Sequence, residues 1–219
     1  MHESSEVAEV PVLHRDAQLL VLDKPAGLLS VPGRGADKAD CLSARVQAVF
    51  PDALVVHRLD MATSGLIVMA RGADTQRRLS RAFAEREVSK RYVAVVAGRL
   101  EPQAGGWNVI DLPIAADWPN RPLRVIDRAR GQASVTRWRV LAHDAAGATT
   151  RLELEPVTGR SHQLRLHLQA IGHPILGDAL YAPPGIAGAA PRLVLHACGL
   201  RLVHPLTAAA MEFSSAAPF

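Results

Sequence analysis

Cysteine is nearly absent. Cys41 and Cys198 are the only two, too few and too far apart for a disulfide framework or a four-ligand zinc site. Aromatic residues make up 4% of the chain, so a Tyr or Trp beside a charged motif stands out. Lysine is rarer still, with Lys24, Lys38 and Lys90 the whole set. No apolar run approaches the roughly 20 residues a membrane helix needs. Met1–Val10 is polar and acidic and lacks the apolar region of a secretion signal. Gly33 and Gly35 lack the Gly-Lys-Ser/Thr ending of a phosphate loop. Ser64 lies outside a Gly-x-Ser-x-Gly elbow. His162 and His167 do not share a helix face, as a zinc-binding pair would. The expectation is a soluble cytosolic protein with no membrane segment and no metal.

What remains is a chain that can bury a sizeable core: 219 residues, 48% hydrophobic and 21% charged. The net charge is +4, carried almost wholly by arginine. A planar guanidinium suits phosphates and base edges better than a lysine point charge does. A polyanion partner is therefore compatible with the composition, although the modest excess does not require one.

Residues 1–12 read as a flexible tail, and residues 13–219 as a single domain without a dividing linker or internal repeat. Leu19–Leu22 reads as a buried strand, broken by Lys24-Pro25-Ala26-Gly27. Cys41–Phe50 has helical spacing. Leu54–Val56 and Leu66–Met69 are apolar runs joined by a polar connection, His57 to Gly65. A helix capped by Asp74 runs to Glu85, and Tyr92–Val96 is β-branched and strand-like. Val135–Leu141 and Thr149–Leu154 form a strand pair around a turn. Ser161–Ile171 is a helix with Thr158 or Ser161 as its cap and Gly172 at its end. Leu193–Leu195 and Leu200–Val203 close the chain as a last pair. Strands and helices do not alternate regularly, so the class is α+β.

Three constellations carry the chemistry. In His57-Arg58-Leu59-Asp60-Met61-Ala62-Thr63-Ser64-Gly65, a carboxylate follows an arginine on a short loop between apolar strands, a common setting for catalytic groups. The same spacing fits a solvated turn with a surface ion pair. In Thr158–Leu168, Arg165 lies about 100° round the helix from Leu164, where it either meets a carboxylate in a cleft or lays its stem on the core. In Lys90-Arg91-Tyr92, the tyrosine either stacks on a base or belongs to the core.

The His57–Asp60 loop with Thr63-Ser64-Gly65 resembles the signature of the RluA-type pseudouridine synthases. Lys24–Gly33, Lys90–Ala94, Gly159–His167 with Gly172–Asp178, and Leu193–Ala197 resemble further motifs of that family, in family order. Asp111–Ile114 with Asp117–Pro122 is similar to the RluA subgroup, which lacks a small N-terminal RNA-binding domain; no room for one precedes Leu19.

The resemblance implies a pseudouridine synthase fold: a mixed, largely antiparallel central sheet flanked by helices and loops, with a central active-site cleft. It implies Asp60 as the catalytic residue. Arg58 would help fill the space left by a flipped base, Tyr92 would stack on that base, and Arg165 would supply the opposite charge that keeps Asp60 ionised. It further implies a cofactor-free, monomeric enzyme acting on stem–loops of large-subunit ribosomal RNA and on the anticodon stem–loop of transfer RNA. Two other readings remain: a non-catalytic RNA-binding or ribosome-assembly factor on the same fold, and a glycosidase-type hydrolase, which needs a second acid opposite Asp60.

Overall fold

The computed structural model describes all residues except 1–5, 8, 34, 36–37, 102–105 and 147. The strands are β1 (Glu6–Val7), β2 (Val10–Arg15), β3 (Leu19–Lys24), β4 (Ala53–Val55), β5 (Ser64–Arg71), β6 (Ser89–Ala97), β7 (Asn108–Asp111), β8 (Ile114–Ala116), β9 (Arg124–Ile126), β10 (Val135–His143), β11 (Thr149–Pro156), β12 (Leu195–Val203) and β13 (Ala210–Ser214). The helices are α1 (Leu42–Val49), α2 (Ala73–Ala84), α3 (Gln163–Ala170) and α4 (Pro184–Ala187).

The sequence shows no linker, yet the chain groups into two compact units. One holds residues 1–90 and 197–218, the other 91–196 and 219. The boundaries between them fall inside β6 and inside β12.

In the first unit the strand order is β1-β2-β3-β5-β12, with β4 paired to β5 and β13 to β12. β3 and β5 are antiparallel, Leu19 opposite Ala70 and Lys24 opposite Gly65. Every residue from Ser64 to Ala70 is buried, as expected of a strand covered on both faces. On one face, Leu66, Val68 and Ala70 join Leu19, Val21, Leu200 and Leu202, and Leu79 of α2 closes that layer. The loop after β3 and the loop before β5 therefore emerge at the same end of two neighbouring strands. They are the Lys24–Ser30 and His57–Thr63 segments.

In the second unit β6, β11, β10 and β7 form an antiparallel sheet, and β8 and β9 a separate hairpin. β11 alternates buried and half-buried residues. Its buried face carries Leu152 and Leu154, while Glu153 and Glu155 on the other face pair with Arg91, Arg137 and Arg139.

Several local expectations change. Residues 10–12, read as tail, are strand, and Glu6–Val7 pairs with Val10–Pro11; residues 1–5 lie outside the described part. Helix α2 is entered through Gly72 without a side-chain cap, and Asp74 pairs instead with Arg77 one turn on. Neither Thr158 nor Ser161 caps α3. The residue before it is His162 in a left-handed conformation, φ 58°. The last strand pair is not Leu193–Leu195 with Leu200–Val203. Residues 195–203 run through as one strand, partnered by β13.

Candidate active site

Asp60 sits on a loop that is fixed at both of its neighbours. On one side, Ser30 Oγ donates to the Leu59 carbonyl at 2.7 Å and accepts the Leu59 amide at 3.1 Å. On the other, the Met61 carbonyl accepts from the Gly27 amide at 2.8 Å and from Lys24 Nζ at 3.2 Å. The Thr63 amide turns back to the Asp60 carbonyl at 3.1 Å. Leu59 is buried, whereas Arg58 is exposed and Asp60 half-buried. The apolar residue thus anchors the loop while its two charged neighbours remain accessible.

Lys24 has no exposed surface. Its ammonium donates to the Pro25 and Leu28 carbonyls, each at 2.8 Å, as well as to Met61. Three carbonyls satisfy all three of its donors. Burial pushes its pKa down to about 8, and attraction to Asp60 partly opposes the shift. A buried positive charge therefore lies beneath the loop of the carboxylate.

His57 begins the same loop. Its Nε2 accepts the Val68 amide of β5 at 3.0 Å, and its ring stacks on Phe83 of α2 at 4.3 Å. Burial, reinforced by the nearby charge of Lys90, holds its pKa down to about 3. It is a neutral acceptor that ties the loop to the sheet. Gly65 closes the loop with φ +113°, and a Cβ there would overlap the Ala197 backbone. Arg58 makes no ion pair among the described residues, which leaves its guanidinium available to a ligand.

In the second unit, Tyr92 lies opposite Leu154 on the face of β6 that also carries buried Ala94 and Val96. Arg165 does not lay its stem on the core with its head in water. It is 4% exposed, and its Nε and Nη2 donate to Asp178 at 2.8 and 2.6 Å. Asp178 is 1% exposed and also accepts the Leu180 and Tyr181 amides. The Tyr181 ring lies 5.2 Å from the Arg165 guanidinium carbon. Helix α3 is buried along Gln163–Leu168 rather than on one stripe. Gln163 bonds Thr136 and the Val135 carbonyl, and His167 bonds Thr136 and the Leu112 carbonyl. These bonds make His167 a bolt between α3 and the sheet.

The first unit thus presents Arg58 and Asp60 on one clamped loop, and the second holds Tyr92 and Arg165 on rigid elements. Sequence reasoning quoted Lys24, Ser30, His57 and Asp178 inside motifs without giving them work, and it passed over Tyr181. Chemically, a carboxylate held by its backbone and kept beside a buried cation is suited to act as a nucleophile or a base.

Known proteins resemble this chain over most of its length. The RNA pseudouridylate synthase family pattern matches residues 18–170. The chain is 48% identical over 208 residues to the dual-specificity RNA pseudouridine synthase RluA of Yersinia pestis, covering 95% of this chain and 99% of that protein. It is 47% identical to the RluA of Escherichia coli strain K12, covering 95% and 93%. Among solved structures, human RNA pseudouridylate synthase domain containing 1 superposes with a TM-score of 0.79 at 29% identity, covering 99% of this chain and 87% of that one.

Proposed function

The chain belongs to the RNA pseudouridylate synthase family, and from that premise we propose that it modifies uridines in ribosomal and transfer RNA stem–loops, with Asp60 as its catalytic carboxylate. Its activity is that of an RNA pseudouridine synthase, an isomerase. The bond from base N1 to ribose C1′ breaks, the base turns, and C5 joins C1′ and loses its proton. The product has the same atoms as the substrate and the same oxidation state, so the reaction needs no redox cofactor.

The observation that carries the assignment of Asp60 is its loop. Hydrogen bonds hold both neighbouring residues while the side chain stays accessible. Preorganisation of this kind is what a reacting carboxylate requires. Asp60 acts as a nucleophile on ribose or base, or as the base that removes a ribose proton. Arg58, exposed and without an ion pair among the described residues, fits a residue that enters the space a flipped base vacates. Extrusion costs a few kcal/mol, less from a loop than from a duplex, and an arginine in the gap offsets part of that cost. Tyr92 provides a stacking face for the extruded base. Arg165 serves as a buried cation for the site, oriented by Asp178.

The reading of both RNA classes as substrates follows the dual-specificity name of the relatives. It takes the enzyme to be cytoplasmic and monomeric. Mapping pseudouridines in RNA from cells lacking this protein tests it. Loss of the modification from specific ribosomal and transfer RNA loops is expected, and an unchanged map in both classes would refute it.

A further inference from the structure

The hairpin β8–β9 carries Trp118 at its tip. The indole is 69% exposed although aromatic residues are scarce in this chain. One face is covered by Arg121, whose guanidinium carbon lies 3.5 Å from the ring centroid. The exposure leaves the other face to solvent. The hairpin is not loosely attached. The Arg124 amide donates to Tyr181 Oη at 2.9 Å, and that hydroxyl also bonds His162 Nδ1 at 2.7 Å. At its base, Ile114 and Gln132 exchange two backbone bonds.

Beside the hairpin lies a cleft of about 930 Å³, lined by Trp118, Arg124, Arg130 and Arg160 together with Asp117 and Asp127. The acids are already engaged. Asp127 accepts the Ala129 and Arg130 amides and the Arg130 guanidinium, which lower its pKa. Asp117 accepts the amide and side-chain nitrogens of Asn120. Arg124 and Arg160 make no ion pair among the described residues. The Arg124 Nε is buried without a hydrogen-bond partner among them, a costly state for a charged donor. The Arg160 Nε reaches only the Ala133 carbonyl at 3.4 Å.

An open indole plane beside two guanidinium groups that make no ion pair among the described residues matches an unstacked base with its phosphate. We infer that this hairpin and cleft form a second contact for the substrate RNA. An unpaired loop base stacks on the free face of Trp118, and the adjoining phosphate sits between Arg124 and Arg160. A duplex presents no free base face, so the contact selects single-stranded loop nucleotides. The inference deepens the proposed function and rests on RNA being the substrate.

The test uses the full chain and unmodified in-vitro transcripts of transfer RNA and large-subunit ribosomal RNA. Stacking quenches indole emission, so RNA should quench the wild-type protein and should lose most of that effect on Trp118→Phe. Trp118→Ala should weaken binding by about tenfold or more, and Trp118→Phe, which keeps a stacking ring, by much less. Arg124→Gln and Arg160→Gln combined should flatten the salt dependence of binding by about 0.7 in logarithmic slope, the share of the one phosphate they hold, and each alone by part of that. Circular dichroism controls for folding, and the exposed Trp118 should be replaceable without loss of structure. Wild-type affinity in Trp118→Ala, or quenching that survives in Trp118→Phe, overturns the inference while wild-type turnover leaves the proposed function standing. A wild-type protein that neither binds nor modifies these transcripts overturns both. Unchanged RNA affinity in all these variants would leave the patch to a protein partner and likewise reject the RNA contact.

Discussion

Lys24 shows how a single side chain can shape the site without touching substrate. The ammonium is buried and holds three carbonyls, one of them next to Asp60. Its pKa is about 8 in the fold against 10.5 for a free lysine. Between those two values the unfolded chain binds more protons than the folded one, so this residue's contribution to stability rises from pH 8 to pH 10.5. Lys24→Met removes both the burial penalty and the donors. Its stability should therefore lie within about 2 kcal/mol of wild type at neutral pH, while turnover falls because Met61 keeps only the Gly27 amide and the buried charge beside Asp60 is lost. Denaturant titrations across that pH range should show wild type gaining on the variant; parallel curves would contradict the assignment. Arg165 behaves differently, because its partner is equally buried. Arg165→Met leaves Asp178 as an uncompensated charge and should cost about 3–5 kcal/mol. Arg165→Met combined with Asp178→Asn should recover much of that stability, since the amide oxygen can still accept the Leu180 and Tyr181 amides. If the double variant is stable and inactive, Arg165 serves the reaction. If it is stable and fully active, the pair is only a strut.

At the scale of elements, the active loop depends on where strands end. Gly65 is the second residue of the buried run of β5, with φ +113° and with Ala197 packed against its α-carbon. Gly65→Ala adds backbone strain and a steric overlap together, and should destabilise by about 3 kcal/mol or more. A melting temperature unchanged from wild type would show that β12 can move aside. The run Leu19–Leu22, the strand at Tyr92–Val96 and the helix before Gly172 were all legible, because apolar periodicity reports burial directly. The burial of Lys24 was not legible, since lysine is among the residues least often fully buried and its acceptors are carbonyls that sequence does not mark. The Arg165–Asp178 pair joins α3 to a loop beyond it, and no local spacing encodes that contact. The apolar runs Leu193–Leu195 and Leu200–Val203 read as two strands, because His196–Gly199 between them carries no apolar run, yet β12 continues through it. Its partner β13 alternates only Met211 and Phe213 within a stretch rich in alanine and serine. Asp60 could be singled out as a candidate from its position between apolar strands, but spacing alone fitted a surface turn equally well. Resemblance to family motifs decided between the two, and the structure adds the clamps on either side.

For the whole molecule, charge is distributed so that many arginines are compensated internally. Arg91, Arg137 and Arg139 share Glu153 and Glu155, and Arg77 is paired with Asp74. Arg58, Arg124 and Arg160 belong to the arginines without ion pairs among the described residues, as do Arg78, Arg81 and Arg86 on and just after α2, and such residues are the candidates for phosphate contact. If Arg58 neutralises one phosphate and Arg124 and Arg160 share another, the logarithm of RNA affinity should fall with the logarithm of salt at a slope of about −1.4. A flat titration would mean that the basic excess is not an RNA surface. The described residues include no helix long and apolar enough to cross a membrane. The central claim is that this chain isomerises uridine in RNA through the carboxylate of Asp60. Release of tritium from unmodified transcripts labelled at uridine C5 reads that step directly, because the label leaves only when C5 bonds to ribose. Wild-type protein should release it to a plateau set by the number of target sites. Asp60→Asn should release none while keeping its fold and its RNA affinity, and substantial release by that variant would contradict the account.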